Sequence, residues 1–201
     1  KLRMNFAWGL EFLELTNGDR KEQVKTMGMA NLLGLHGNAI LSKCPIKSGS
    51  VHRGPLQPPY YSFKNQGFNA NGFERRLASR MILNTEIDFR SSEGAQITLL
   101  VSSVHKLDDS EVDVVKQNVS NYYAAIIAGD QPGRFCKQSG LKNVDNLGHN
   151  TWPANCQSAG QSRGDIICSN LKISKAETTI LPCYKGTVLS DHAIKVVDLH
   201  I

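Results

Sequence analysis

Segments of two hydrophobic periods alternate along the chain. Residues 6–15 (FAWGLEFLEL) are dense in aromatic and aliphatic side chains and run into Asn17-Gly18, which predicts a strand ending in a turn. Residues 38–42 (NAILS) form a short apolar run stopped by Cys44-Pro45. Residues 80–89 (RMILNTEIDF) and 95–105 (AQITLLVSSVH) read as two strands joined by the polar turn Ser91-Ser92-Glu93-Gly94. The period then changes: Val112, Val115, Val119 and Tyr122 recur at helical spacing, with Asp109 as the expected cap and Glu111 in the first turn. Residues 123–128 (YAAIIA) predict a short buried strand running into Gly129-Asp130, and residues 165–169 (DIICS) and 192–201 (HAIKVVDLHI) predict two more. The proline-, glycine- and asparagine-bearing stretch 47–74 reads as a functional or mobile loop. Many strands with few intervening helices point to the α+β class, with a mixed, mostly antiparallel sheet system.

Length and composition narrow this picture. A chain of 201 residues, 40% hydrophobic and 20% charged, suits one globular domain with a sizeable core and is short for two. No apolar run approaches the roughly 20 residues of a membrane-spanning helix. The N-terminal sequence does not resemble a signal peptide, but the first residue is Lys1, so an upstream segment and either a secreted or a cytoplasmic location stay open. A formal charge of +5 favours anionic partners such as nucleic acid or other phosphate esters, and a non-specific basic surface accounts for it equally well. The five cysteines, Cys44, Cys136, Cys156, Cys168 and Cys183, show no CxxC spacing, which argues against zinc. Four of them in the last third suit two disulfides in an oxidising compartment, and reduced buried thiols suit a cytosolic one. The sequon Asn118-Val119-Ser120 falls in the predicted helix. Oligomeric state is not legible.

Candidate chemistry gathers where apolar strands end. Four motifs do this: Ser102-Ser103-Val104-His105, Ala128-Gly129-Asp130, Arg163-Gly164-Asp165-Ile166-Ile167 and Leu189-Ser190-Asp191-His192. A sheet fixes the backbone at such positions while the side chain faces a cleft. Each has an ordinary alternative: a hydrogen-bonded structural histidine for His105, and turn or strand caps for Asp130 and Asp165. Taken together, three carboxylates and two histidines suffice to hold a hard divalent cation and move protons around a phosphate.

The order His, Gly-Asp, Asp, Ser-Asp-His resembles that of the endonuclease/exonuclease/phosphatase superfamily, relatives of deoxyribonuclease I. The resemblance is carried by GNAILSKCPI, VSSVHK, IIAGD, RGDIICSN and SDHAIKVVD, from about Gly37 to the C-terminus, and the wording is most similar to a plant-type branch. It implies a four-layered α/β/β/α sandwich of two mixed, mostly antiparallel sheets. It also implies His192 as general acid or base, with Asp165 orienting it, and His105 at the phosphate or leaving oxygen. Asp130 would orient water or join the metal cluster. Asp191 would ligate one divalent cation (Mg, or Mn or Ca). Arg80, or its neighbours Arg75 and Arg76, would face the phosphate.

Two departures stand against that pattern. The family reads Gly-Asp-x-Asn, whereas this chain has Gly129-Asp130-Gln131-Pro132, and proline lacks both the amide side chain and a backbone donor. Gln131 stands one position early and should face away from the site. The family's early Asn and metal-binding Glu would lie upstream of residues 6–15, where this chain has almost nothing. Glu11 and Glu14 are the only early carboxylates near a strand, and a strand-edge or solvated role is expected for both. The expectation is therefore a single domain over residues 1–201, lacking its first strands and N-terminally incomplete. Its expected activity is hydrolysis of a phosphodiester or phosphomonoester. The alternative is a catalytically weakened or inactive relative that acts as a binding or scaffold protein.

Overall fold

The computed structural model describes residues 3–14, 35–54, 61–64, 73–77, 80–90, 94–105, 107–131, 134–144, 151, 165–181 and 193–200. In chain order its elements are β1 (Asn5–Glu14), β2 (Leu35–Ser42), β3 (Ile46–Arg53), β4 (Tyr61–Lys64), β5 (Phe73–Leu77), β6 (Met81–Arg90) and β7 (Gln96–His105), followed by α1 (Asp109–Ser120) and β8 (Ala124–Asp130). Then come α2 (Phe135–Gln138), β9 (Lys142–Asn143), β10 (Asp165–Ser169), β11 (Lys175–Leu181) and β12 (Ile194–His200). They form a four-stranded sheet in the order β2-β1-β5-β4, a six-stranded sheet in the order β3-β6-β7-β8-β10-β9, and the pair β11-β12. Pairing is antiparallel except between β7 and β8, which run parallel because α1 carries the chain back across the sheet.

The alternation along β6 and β7 builds both layers of core. Ile82, Leu100 and Val104 face α1, where Val112, Val115 and Val119 pack with Ala125, Ile127 and Ile166. The intervening positions Met81, Leu83 and Ile87 point the other way, against Ile40 of β2 and the partly buried Ala7 of β1. The six-stranded sheet is therefore sandwiched between α1 and the first sheet. Close approach at that second interface rests on Gly9. A Cβ there would lie 2.8 Å from Met81 Cε, so the end of that fully buried side chain would have to shift to admit one.

Three expectations change. The stretch 47–74 contains β4, most of β3 and the start of β5 rather than one long loop. β3 escaped notice because nearly all its side chains are exposed; it is an edge strand held to β6 by backbone pairing, with no alternation to read. The helix cap is Asp108, not Asp109: Asp108 Oδ1 accepts the N–H groups of Ser110 and Glu111, each at 3.0 Å, and Glu111 Oε2 accepts the Asp108 N–H at 2.8 Å. β9, α2 and β11 lie in stretches to which the sequence pattern assigned no element.

A disulfide joins Cys136 of α2 to Cys168 of β10 inside the core. Cys156 and Cys183, the other pair of the two-disulfide expectation, lie outside the described residues. Cys44 is free and partly buried. No helix among the described residues is long and apolar enough to cross a membrane.

Candidate active site at the strand ends

Register places three of the expected residues in one row. His105 is the partner of Asp130 across the parallel β7–β8 pair, and Asp130 is the partner of Asp165 across the antiparallel β8–β10 pair. Directly paired residues put their side chains on the same face. This face looks toward the first sheet. His105 Nε2 lies 3.9 Å from Asp130 Oδ2, close enough for charge attraction and too far for a hydrogen bond. Both side chains are partly exposed, as a substrate-facing group requires.

Gly129 makes the row possible. Its φ is +153°, and a Cβ there would land on the carbonyl oxygen of Val104 in the neighbouring strand. The Gly-Asp dipeptide is thus a backbone requirement followed by a chemical group: close approach of β8 to β7 brings Asp130 beside His105.

The inner side of His105 is held by a residue expected in solvent. Glu11 is 2% exposed, and its two oxygens reach Arg80 Nη1 at 2.7 Å and His105 Nδ1 at 3.0 Å. Alternation carries the inward face from Ala7 and Gly9 to Glu11, and a bulge in β1 then turns Phe12 inward as well. Leu10 and Phe12 pair with the consecutive residues Gly37 and His36, which leaves Glu11 as the extra residue. Phe12 and Glu11 are consequently both buried, and Phe12 stacks on His36 with ring centroids 4.6 Å apart. Arg53 binds the backbone at this point, donating to the carbonyl of Glu11 at 3.0 Å and to that of Leu10.

Electrostatics follow from this enclosure. Burial pushes the Glu11 carboxyl up, but hydrogen bonds and charge from His105, then from Arg80, outweigh it and hold the group below the usual carboxylate range. Arg80 Nη1 also lies 2.8 Å from His105 Nδ1. That nitrogen makes one hydrogen bond at a time, donating to Glu11 when protonated and accepting from Arg80 when bare. Either contact fixes the ring with Nε2 on the side of Asp130 and the cleft. Arg80 is 6% exposed and faces Glu11 and His105 rather than open solvent.

The remaining expected residues are less fully placed. Asp191 and His192 lie outside the described residues, as does Pro132, and the side chains of Glu14, Arg75 and Arg76 are likewise not described. Ala193, next in sequence to His192, is buried, and its N–H donates to the carbonyl of Thr151 at 2.8 Å. A cavity of about 330 Å³ opens between residues 128–129, 165–167 and 193–195, beside the Asp165 end of the row. A larger cleft of about 590 Å³, near Lys142 and Lys172, lies at the opposite end of β10 and away from these groups. Gln131 is 2% exposed. Among the described residues no group of three His, Cys, Asp or Glu side chains could hold a metal ion. Asp130 and Asp165 are the two row carboxylates, while Glu11 is taken up by Arg80 and His105, so these residues do not complete a cation cage by themselves.

Two residues at this site were missed from the sequence. Glu11 did carry a signal, since a carboxylate isolated in an apolar strand must either be solvated or find a buried cation. Thr151 carried none.

No family model matches the chain, and no curated protein matches it by sequence. Solved structures do match. An endonuclease/exonuclease/phosphatase from Beutenbergia cavernae DSM 12333 is similar over 96% of this chain and 53% of its own, with TM-score 0.60 and 17% identity. An endonuclease/exonuclease/phosphatase family protein from Leptotrichia buccalis C-1013-b aligns over 98% of this chain and 72% of its own, with TM-score 0.55 and 15% identity. Truncated Caenorhabditis elegans TDP2 aligns over 95% of this chain and 84% of its own, with TM-score 0.53 and 13% identity. The chain thus spans about half the length of the Beutenbergia protein. At these identities the likeness speaks to architecture: the fold of this chain is the two-sheet sandwich of the endonuclease/exonuclease/phosphatase proteins.

Proposed function

We propose that this chain carries part of a metal-dependent phosphoesterase site that hydrolyses a phosphodiester of nucleic acid, or a phosphomonoester, by attack of water. The observation that carries the reading is the single row His105–Asp130–Asp165 on one face of three adjacent strands, in a fold shared with endonuclease/exonuclease/phosphatase proteins. His105 offers Nε2 to the phosphate or leaving oxygen, held from behind by Glu11. Asp130 orients the attacking water. Asp165 orients His192 as general acid or base, and Arg80 adds positive charge behind His105 for the phosphate. Asp191 is the proposed ligand of one divalent cation (Mg, Mn or Ca), which when bound would supply charge neutralisation at the phosphate. The net charge of +5 suits such a substrate. The binding-only alternative rests on Pro132, which lies outside the described residues.

The test is hydrolysis of plasmid DNA, RNA and generic phosphate esters in magnesium, manganese or calcium. Wild-type turnover is expected to vanish in EDTA. It should fall by roughly 10²–10⁴ in His105→Ala and in Asp191→Ala/His192→Ala. Turnover equal in wild type and these variants would overturn the reading.

A further inference from the structure

Asp165 is held by its backbone as well as by its strand. Its N–H donates to Thr151 Oγ1 at 3.1 Å, and its carbonyl accepts from Lys195 Nζ at 2.5 Å. Thr151 is 0% exposed. A hydroxyl so buried is costly unless it is bonded, and here it receives the first N–H of β10. The carbonyl of the same residue accepts the N–H of Ala193, immediately before β12. One buried residue therefore binds two points 28 positions apart in sequence, Asp165 and Ala193, through its side chain and its main chain. Each point adjoins or is a residue proposed for the chemistry: Asp165 itself, and the Asp191-His192 pair that precedes Ala193.

We infer that Thr151 is a positioning residue that sets the relation between Asp165 and Ala193, the residue that follows His192 in sequence. The inference rests on the phosphoesterase reading above. The requirement is specific to an acceptor at Oγ1. Valine has the shape of threonine but cannot accept the Asp165 N–H, whereas serine can. A general acid or base works only when its orienting carboxylate is held to within a fraction of an ångström, so slack at Asp165 lowers turnover without weakening substrate binding. Lys195 grips the other backbone group of Asp165 and so limits, without replacing, what Thr151 does.

The experiment compares Thr151→Val and Thr151→Ser in the whole protein, reading amide hydrogen exchange by NMR alongside kcat and KM. In Thr151→Val the Asp165 amide should exchange at least about 10-fold faster, while amides of Leu83 and Leu100 in the central strands keep wild-type protection. Its kcat should fall roughly 10- to 100-fold with KM within about 3-fold of wild type. Thr151→Ser should restore both kcat and Asp165 protection to within about 3-fold of wild type. Wild-type exchange at Asp165 in Thr151→Val would overturn the tie. Faster exchange with unchanged kcat would overturn the positioning role. If Thr151→Val does not fold, a fall in kcat in Thr151→Ser with the Asp165 amide still protected would likewise overturn that role. A wild-type protein without turnover would instead remove the phosphoesterase reading and the catalytic half of this inference, and the exchange measurement alone would then decide the tie.

Discussion

Glu11 shows how one side chain governs the site. Its carboxylate faces the Arg80 guanidinium and the His105 ring, both within hydrogen-bonding distance, and Glu11 and Arg80 are screened from water. Removing one partner of such a pair leaves a buried charge uncompensated. Glu11→Gln is therefore expected to destabilise the protein by about 3–5 kcal/mol at pH 7, measured by urea unfolding. The pH dependence has a definite sign. Because the folded carboxyl is held below its ordinary value of 4.5, its stabilisation is complete above about pH 4.5 and is lost as the pH falls through the lower folded value. The gap between wild type and Glu11→Gln should narrow below pH 4.5. A gap independent of pH would show that packing, and not charge, sets the cost. Glu111 acts in the opposite sense, since burial pushes its carboxyl above the ordinary value, so the difference between variants is the clean measurement. At this scale the sequence supplied the identity of the charged residues. It could not supply their burial: alternation puts Glu11 on the face of Ala7 and Gly9, but packing between the sheets decides that this face, and not the more apolar one of Phe6 and Trp8, meets the core.

Elements were legible in proportion to how many contacts their own side chains make. β6, β7, β8 and β10, central in the six-stranded sheet, match the predicted segments to within two residues at each end. Their apolar faces are buried, so alternation or an apolar run marks them. β3 and β11 are exposed on most or alternate positions, leaving little for the eye to find. The join between β7 and β8 is where element geometry bears on chemistry. Parallel pairing at Val104–Gly129 needs a residue without a Cβ, and the next step along both strands delivers His105 and Asp130 together. Gly129→Ala should cost about 2–4 kcal/mol, combining a conformation nearly exclusive to glycine with a clash against Val104. It should also lower any turnover, because β8 must move to accommodate the methyl group. Thermal unfolding gives the first figure, and wild-type stability in Gly129→Ala would contradict the geometry.

Among the described residues, two apolar layers and one covalent link hold the molecule together. The Cys136–Cys168 disulfide closes a loop of 32 residues that contains both Thr151 and Asp165. A loop of that length implies about 3–4 kcal/mol of stabilisation through restriction of the unfolded chain. Urea unfolding with and without reductant, beside a Cys136→Ala/Cys168→Ala variant, should show that difference. Equal stability under reducing and oxidising conditions would mean that the bond does not form in solution. From sequence the thiols were compatible with bonded and reduced states alike, since pairing depends on the distance between segments far apart in the chain.

By itself the sequence determined the class of the fold, the positions of its central strands along the chain and the identity of the polar residues at their ends. These follow from local periodicity and from glycine and proline stereochemistry, which act between near neighbours. Only the tertiary structure decided that His105, Asp130 and Asp165 share one row, that Glu11 is buried behind them, and that Thr151 ties Asp165 to the segment after His192. Each of those relations depends on strand register or on a bulge. A one-residue change in either reverses the face a side chain occupies, and nothing local in the chain sets it.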